Sequence, residues 1–149
     1  MIYKAIGIMS GSALDGLDIA YVHFLETGGK WSYELLQAET LPYSGAWAER
    51  LKNAIALSAL DYQLLHADYG HYIGAEVNRF INIHGLQHKV DVIGSHGHTT
   101  FHMPARRMTG QVGDGAAIAN TWKVISLCER FRTTYVATPR DCVEGAPCQ

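Results

Sequence analysis

A chain of 149 residues, 48% hydrophobic and 17% charged, is long enough to close one core, and no linker-like stretch divides it. Its formal net charge of −2, with no basic cluster beyond Arg106-Arg107, excludes the electrostatic footprint of nucleic-acid binding. No apolar run approaches the ~20 residues of a membrane span, and Met1-Ile2-Tyr3-Lys4 does not open like a signal peptide, so the chain is read as one cytoplasmic domain over residues 1–149.

The first elements are β-rich. Residues 2–9 and 17–25 flank a small turn, and 30–43 follow Gly28-Gly29 as a third strand, which predicts an antiparallel meander. Pro42 and Ser44 open a predicted helix running to about Leu57. Ser58-Ala59-Leu60-Asp61 has capping-box spacing, and Leu65, Tyr69, Tyr72, Ile73, Val77, Phe80 and Ile81 recur at helical intervals up to Gly85. Residues 90–97 read as a short buried strand, 108–115 as a turn-rich segment, 116–122 as a short helix and 123–128 as one more strand. The order predicts an α/β layer on a mixed sheet, the order of a ribonuclease H-like domain. Cys128, Cys142 and Cys148 are odd in number and lack C-x-x-C spacing, so they read as free thiols.

Three segments carry chemistry. "GIMSGSALDGLD", residues 7–18, packs three glycines, two serines and two aspartates between apolar runs. Such a turn exposes backbone N–H groups as a nest for phosphate. Ser10 and Ser12 add hydroxyl donors there, and Asp15 and Asp18 suit Mg²⁺, an ion that prefers oxygen ligands. Asp-Gly also makes plain tight hairpins, and the segment is neither a Walker A loop nor a dinucleotide fingerprint. "GSHGHTTFHMP", residues 94–104, follows the predicted strand end and sets His96, His98 and His102 at H-x-H-x-x-x-H spacing. Neutral imidazoles so placed are common metal ligands, which keeps a histidine-ligated metal hydrolase or metal-binding module as the alternative reading. Histidines beside glycines also contact sugar hydroxyls or close loops. In "GQVGDGAAIA", residues 110–119, Asp114 is positioned to cap a helix whose N-terminus faces a ligand, or only to cap it.

Taken in order, these segments resemble the amino-terminal part of the anhydro-N-acetylmuramic acid kinase family, whose pattern runs G-x-M-S-G-T-S-x-D-G-x-D, then G-S/C-H-G-Q/H-T-x-x-H-x-P, then Q-x-G-D. The resemblance covers residues 2 to about 119. It implies the amino-terminal half of a hexokinase/actin-superfamily fold, two ribonuclease H-like domains facing across a nucleotide cleft. The implied reaction is opening of the 1,6-anhydro ring by water, coupled to ATP-dependent phosphorylation of O6 in cell-wall recycling. By position, Gly11, Ser12, Ala13, Leu14, Asp15, Gly16, Leu17 and Asp18 would bind the ATP phosphates with Mg²⁺. His96, Gly97, Thr99, His102, Gln111 and Asp114 would line the sugar side, with no transition metal. The implied partners are ATP and a small amino sugar, and a homodimer is a candidate assembly.

The departures from the pattern are specific. Ser12-Ala13 stands where the family has Thr-Ser, one hydroxyl fewer. After Asn120 the family's D-F/L-R-x-x-D-x-A-x-G-G-x-G-A-P is met by Arg130 at the first aspartate and Tyr135 at the second, while Phe131, Arg132, Ala137, Gly145, Ala146 and Pro147 echo it. In the family the second aspartate looks like the base that activates water. A phenol with an ordinary pKa near 10 holds its proton at neutral pH, so the sequence predicts a chain that lacks its base, is truncated before the second domain and is inactive alone.

Overall fold

The computed structural model describes residues 1–11 and 13–121, and the backbone of residues 134–136. β1 (Ile2–Ser10), β2 (Gly16–Thr27) and β3 (Lys30–Pro42) form the predicted antiparallel meander. Period-2 alternation turns Ile6 and Ile8 of β1, and Leu17, Ile19 and Tyr21 of β2, to one face, where each is at most 4% exposed.

The helix predicted from Ser44 to Leu57 is broken in two. Ser44 accepts the Trp47 N–H at 3.3 Å and starts α1 (Gly45–Lys52), but Asn53 ends it, and Ala54–Ala56 follows as a single 3₁₀ turn. Asparagine at that position leaves the helical region readily, and its N–H bonds back to the Glu49 carbonyl. α2 (Ala59–Ile83) is as predicted: Ser58 accepts the Asp61 N–H at 3.1 Å and donates to the Asp61 carboxylate at 2.6 Å. Its apolar stripe of Leu65, Tyr69, Ile73, Val77, Phe80 and Ile81 is 2% exposed or less and packs on the inward face of the sheet.

Two expectations for the second half are corrected. The strand expected to stop at Gly97 runs on as β4 (Val92–Met103), and the segment read as turn-rich contains β5 (Met108–Val112). The two pair antiparallel across a 3₁₀ turn at Pro104–Arg106, so the histidine segment is not a loop but the second half of a strand. Cross-strand pairing satisfies backbone groups that glycines and histidines would otherwise leave to solvent. α3 (Gly115–Thr121) agrees with the predicted short helix and lies against α2. A Cβ at Gly70 would sit 2.5 Å from the Asp114 carbonyl, and one at Gly74 would sit 2.6 Å from the Thr121 Cβ, so glycine at both positions lets the helices touch. β6 (Thr134–Val136) pairs parallel with β4. The predicted strand over 123–128 and the three cysteines lie outside the described residues.

The sheet is mixed, in the order β3-β2-β1-β4-β5 with β6 also on β4, and β1 and β4 run parallel. Among the described residues, no helix is long and apolar enough to cross a membrane.

Candidate functional site

The small turn joins neighbouring antiparallel strands, as its residues predicted. Ser10, the last residue of β1, pairs with Leu17, and Gly16, the first of β2, pairs with Pro42. Between them the Leu14 N–H reaches the Gly11 carbonyl at 3.3 Å, Leu14 takes a left-handed φ of 57°, and Asp15 accepts the Gly16 N–H at 3.1 Å. Leu17 belongs to the core. Ser12 lies outside the described residues. Asp18 emerges on the opposite face of the sheet, exposed, where it accepts a 2.6 Å hydrogen bond from the Thr40 hydroxyl.

That opposite face carries the candidate site. The register aligns Gly7 with Ala20 and Gly94, and Ala20 with Ala38, so four strands lay a row of small residues side by side. The row floors an open trough of about 650 Å³, edged by Met9, Asp18, Thr40 and His96. Asp18 of the glycine turn and His96 of the histidine segment therefore share one depression. Gln111, from β5, donates to His96 Nε2 at 3.0 Å and sets the ring. Thr99 is the register partner of Gln111.

His98 points elsewhere. Ile8 pairs with Ser95 but Ser10 pairs with His98, so β4 carries one extra residue there, a bulge with Gly97 at φ 67°. A Cβ at Gly97 would meet the Val112 carbonyl at 2.6 Å, which explains glycine at that position. The extra residue sends His98 to the helix side, 4% exposed, where Ser10 Oγ lies 2.9 Å from its Nδ1. Burial holds this imidazole below its ordinary pKa. Ser10 also accepts from the Tyr43 hydroxyl at 2.7 Å, and Tyr43 meets the Tyr69 hydroxyl at 2.5 Å. Burial raises both phenols above the usual tyrosine value, Tyr69 far above it. Ser10 is itself 4% exposed and its hydroxyl is engaged twice, so it is not the open phosphate donor read from the sequence.

The remaining candidates disperse. His102, at the far end of β4, contacts the Thr109 hydroxyl at 3.2 Å. Asp114 spends its carboxylate on the Ala116 N–H at 3.0 Å, capping α3, while its own N–H bonds the His66 carbonyl. His66 of α2, which the sequence reading missed, accepts the Gly113 N–H at Nδ1, 3.1 Å away; only its position on the α2 periodicity hinted at it. His96, His98 and His102 do not converge, and among the described residues no group of three His, Cys, Asp or Glu is placed to hold a metal ion. The geometry gives the metal-hydrolase alternative no support. The backbone of Tyr135 lies in β6 opposite Gly94, beside the trough.

A family profile described as Anhydro-N-acetylmuramic acid kinase matches residues 3–147. The chain belongs to the anhydro-N-acetylmuramic acid kinase family. The match continues well past residue 119, so the departures after Asn120 are changes within the family's pattern. Among relatives named anhydro-N-acetylmuramic acid kinase, that of Brucella canis is 36% identical over 133 residues, covering 78% of this chain and 33% of its own. That of Paramagnetospirillum magneticum is 35% identical over 150 residues (96% and 38%), and that of Rhodopseudomonas palustris 33% over 156 residues (96% and 40%). The chain thus spans between a third and two fifths of the length of these kinases.

Proposed function

We propose that this chain is the phosphate-turn part of an ATP-dependent carbohydrate kinase that acts on anhydro-N-acetylmuramic acid, opening its anhydro ring as O6 is phosphorylated. The observation that carries the reading is the shared trough: Asp18, from the turn, and His96, from a segment 78 positions later, edge one depression with an open glycine and alanine floor. The strand order β3-β2-β1-β4, with β6 on the far side of β4, supports a ribonuclease H-like domain. The same reading places the protein in the cytoplasm and keeps a homodimer as its candidate assembly.

The residues fit the implied ATP and Mg²⁺. At Gly7 and Gly94 no atom lies within 4 Å of where a Cβ would stand, so the floor is unobstructed. Gly11, Ala13 and Asp15 offer backbone N–H groups with little side-chain bulk, the arrangement that receives phosphate oxygens. Asp18, oriented by Thr40, and Asp15 would hold Mg²⁺ directly or through water. ATP and Mg²⁺, when bound, supply the phosphoryl group and neutralise its charge. His96, set by Gln111, is placed to hydrogen-bond a sugar hydroxyl, with Thr99 and Gly97 beside it. His102 and Asp114 lie apart from the trough in this arrangement.

The test is calorimetric titration of the purified chain with ATP in Mg²⁺, together with an assay for N-acetylmuramic acid 6-phosphate. Weak binding is expected, reduced roughly tenfold by Asp18→Asn, as for loss of a metal-orienting group. No product is expected, because Tyr135 replaces the family's base, a group typically worth ~10²- to 10⁴-fold. Equal affinity in the Asp18 variant overturns the Mg²⁺ assignment. Turnover within about a hundredfold of a full-length relative overturns the role given to Tyr135.

A further inference from the structure

The hydrogen bonds beneath the turn form a chain whose middle link has a fixed direction, which sets a consistent order for the rest. Tyr43 donates to Ser10 Oγ at 2.7 Å, so the Ser10 proton is free to go to His98 Nδ1 at 2.9 Å, and Tyr69 is left as the donor to Tyr43. The order is Tyr69 to Tyr43 to Ser10 to His98, and each hydroxyl has both a proton to give and one to receive except the first. It can run this way only with Nδ1 bare, the Nε2–H tautomer of a neutral ring.

The placement of this chain matters more than its existence, since buried hydroxyls are ordinarily satisfied. Ser10 immediately precedes Gly11, where the turn leaves β1. Tyr43 immediately follows Pro42, the register partner of Gly16, where the turn rejoins the sheet as β2. One foot of the turn is therefore held directly, at Ser10, and the strand end that pairs with the other foot is held at Tyr43, by four side chains that join the ends of β1 and β3 to β4 and α2. The bulge at Gly97 brings His98 to this side.

Resting on the reading of residues 11–18 as a phosphate turn, we propose that His98 is a positioning residue for it: by accepting from Ser10, it fixes the end of β1 from which the turn departs. His98 touches neither phosphate nor sugar in this role. It acts through Ser10, with Tyr43 securing the strand end that pairs with the other foot.

The experiment reads the turn directly. NMR amide exchange is measured at Leu14 and Gly16, whose N–H groups are bonded within the turn, with the amides of α2 as the internal reference. In Ser10→Ala and His98→Leu, exchange at Leu14 and Gly16 should rise about three- to tenfold relative to α2, the population change that one net hydrogen bond controls. His98→Gln, which keeps an acceptor, should stay within about twofold of the parent. The parent's His98 Nδ1 should show the ¹⁵N shift of an unprotonated acceptor, altered in Ser10→Ala. Unchanged turn exchange in His98→Leu overturns the proposal, as does equal acceleration in α2, or His98→Gln behaving like His98→Leu. Where His98→Leu does not fold, Ser10→Ala, which removes the hydroxyl that faces His98, makes the same comparison. Titration with inorganic tripolyphosphate in Mg²⁺ separates the two ideas. No binding by the parent overturns the phosphate reading, while the exchange data alone decide the role of His98.

Discussion

His98 shows how one side chain ties local chemistry to stability. It is 4% exposed, its partner is the neutral Ser10 hydroxyl, and burial lowers its pKa, so the folded protein resists placing a proton there. As pH falls, the unfolded chain takes up that proton near the ordinary value of 6.5 while the folded chain does not. The stability contribution is therefore complete above that value and is lost as pH drops below it toward the folded pKa. Urea midpoints measured between about pH 7.5 and 5.5 should fall more steeply for the parent than for His98→Gln. Parallel lines for the two proteins would place the pH dependence on the other seven histidines. His96, one residue before the bulge glycine, makes the contrast: it sits on the open face, edges the trough and bonds Gln111.

Among the elements, the α2–α3 contact is the most demanding. Gly70 and Gly74 lie one helical turn apart on α2, and α3 approaches until a Cβ at Gly70 would stand 2.5 Å from the Asp114 carbonyl and 2.8 Å from the Ala117 Cβ. Backbone cannot yield as the tip of a flexible side chain can. Gly70→Val should therefore displace α3 and cost about 1–3 kcal/mol, the usual range for overpacking. Gly45→Ala is the control: it lies in the first turn of α1, nothing stands within 4 Å of its Cβ, and it should leave stability unchanged or raise it by up to ~1 kcal/mol. Urea unfolding of the two variants checks the pair. A Gly70→Val protein as stable as the parent would show that α3 is free to shift without loss. The short strand β5 has a different dependence, since its place is set by pairing with β4.

At the scale of the whole molecule, the two faces of the sheet are used differently. One face is sealed by α2 and α3 over Ile6, Ile8, Leu17, Ile19 and Ile93, while the other presents the row of Gly94, Gly7, Ala20 and Ala38 and the trough around it. The sealed face holds the fold, and the open one holds the candidate chemistry. Turnover needs more than a single restored group, because positioning and exclusion of water are supplied by everything that encloses the substrate. The trough on the exposed face is open rather than enclosed. Tyr135→Asp alone is accordingly expected to leave N-acetylmuramic acid 6-phosphate formation undetectable. Product from that variant, but not from the parent, would show that this chain and one carboxylate suffice.

Much of this was legible in the sequence because its causes are local. The β1–β2–β3 meander is written in alternating apolar residues with a glycine pair at the second turn, α2 in its capping serine and apolar period, and the glycine turn in its small residues. The family, too, could be read from motif order. The break at Asn53 was not, since a single residue decides it against an otherwise helical run. Nor was the second half of β4, because glycines and histidines have weak strand preference and only pairing with β5 makes a strand of them. The H-x-H spacing misled for a related reason. In a regular strand it puts two rings on one face, but an extra residue at Gly97 sends His96 to the trough and His98 to the core beneath the turn. Sequence spacing determined which side chains were available for chemistry, whereas the register of β4 against β1, a contact between segments some 88 positions apart, decided which of them meet.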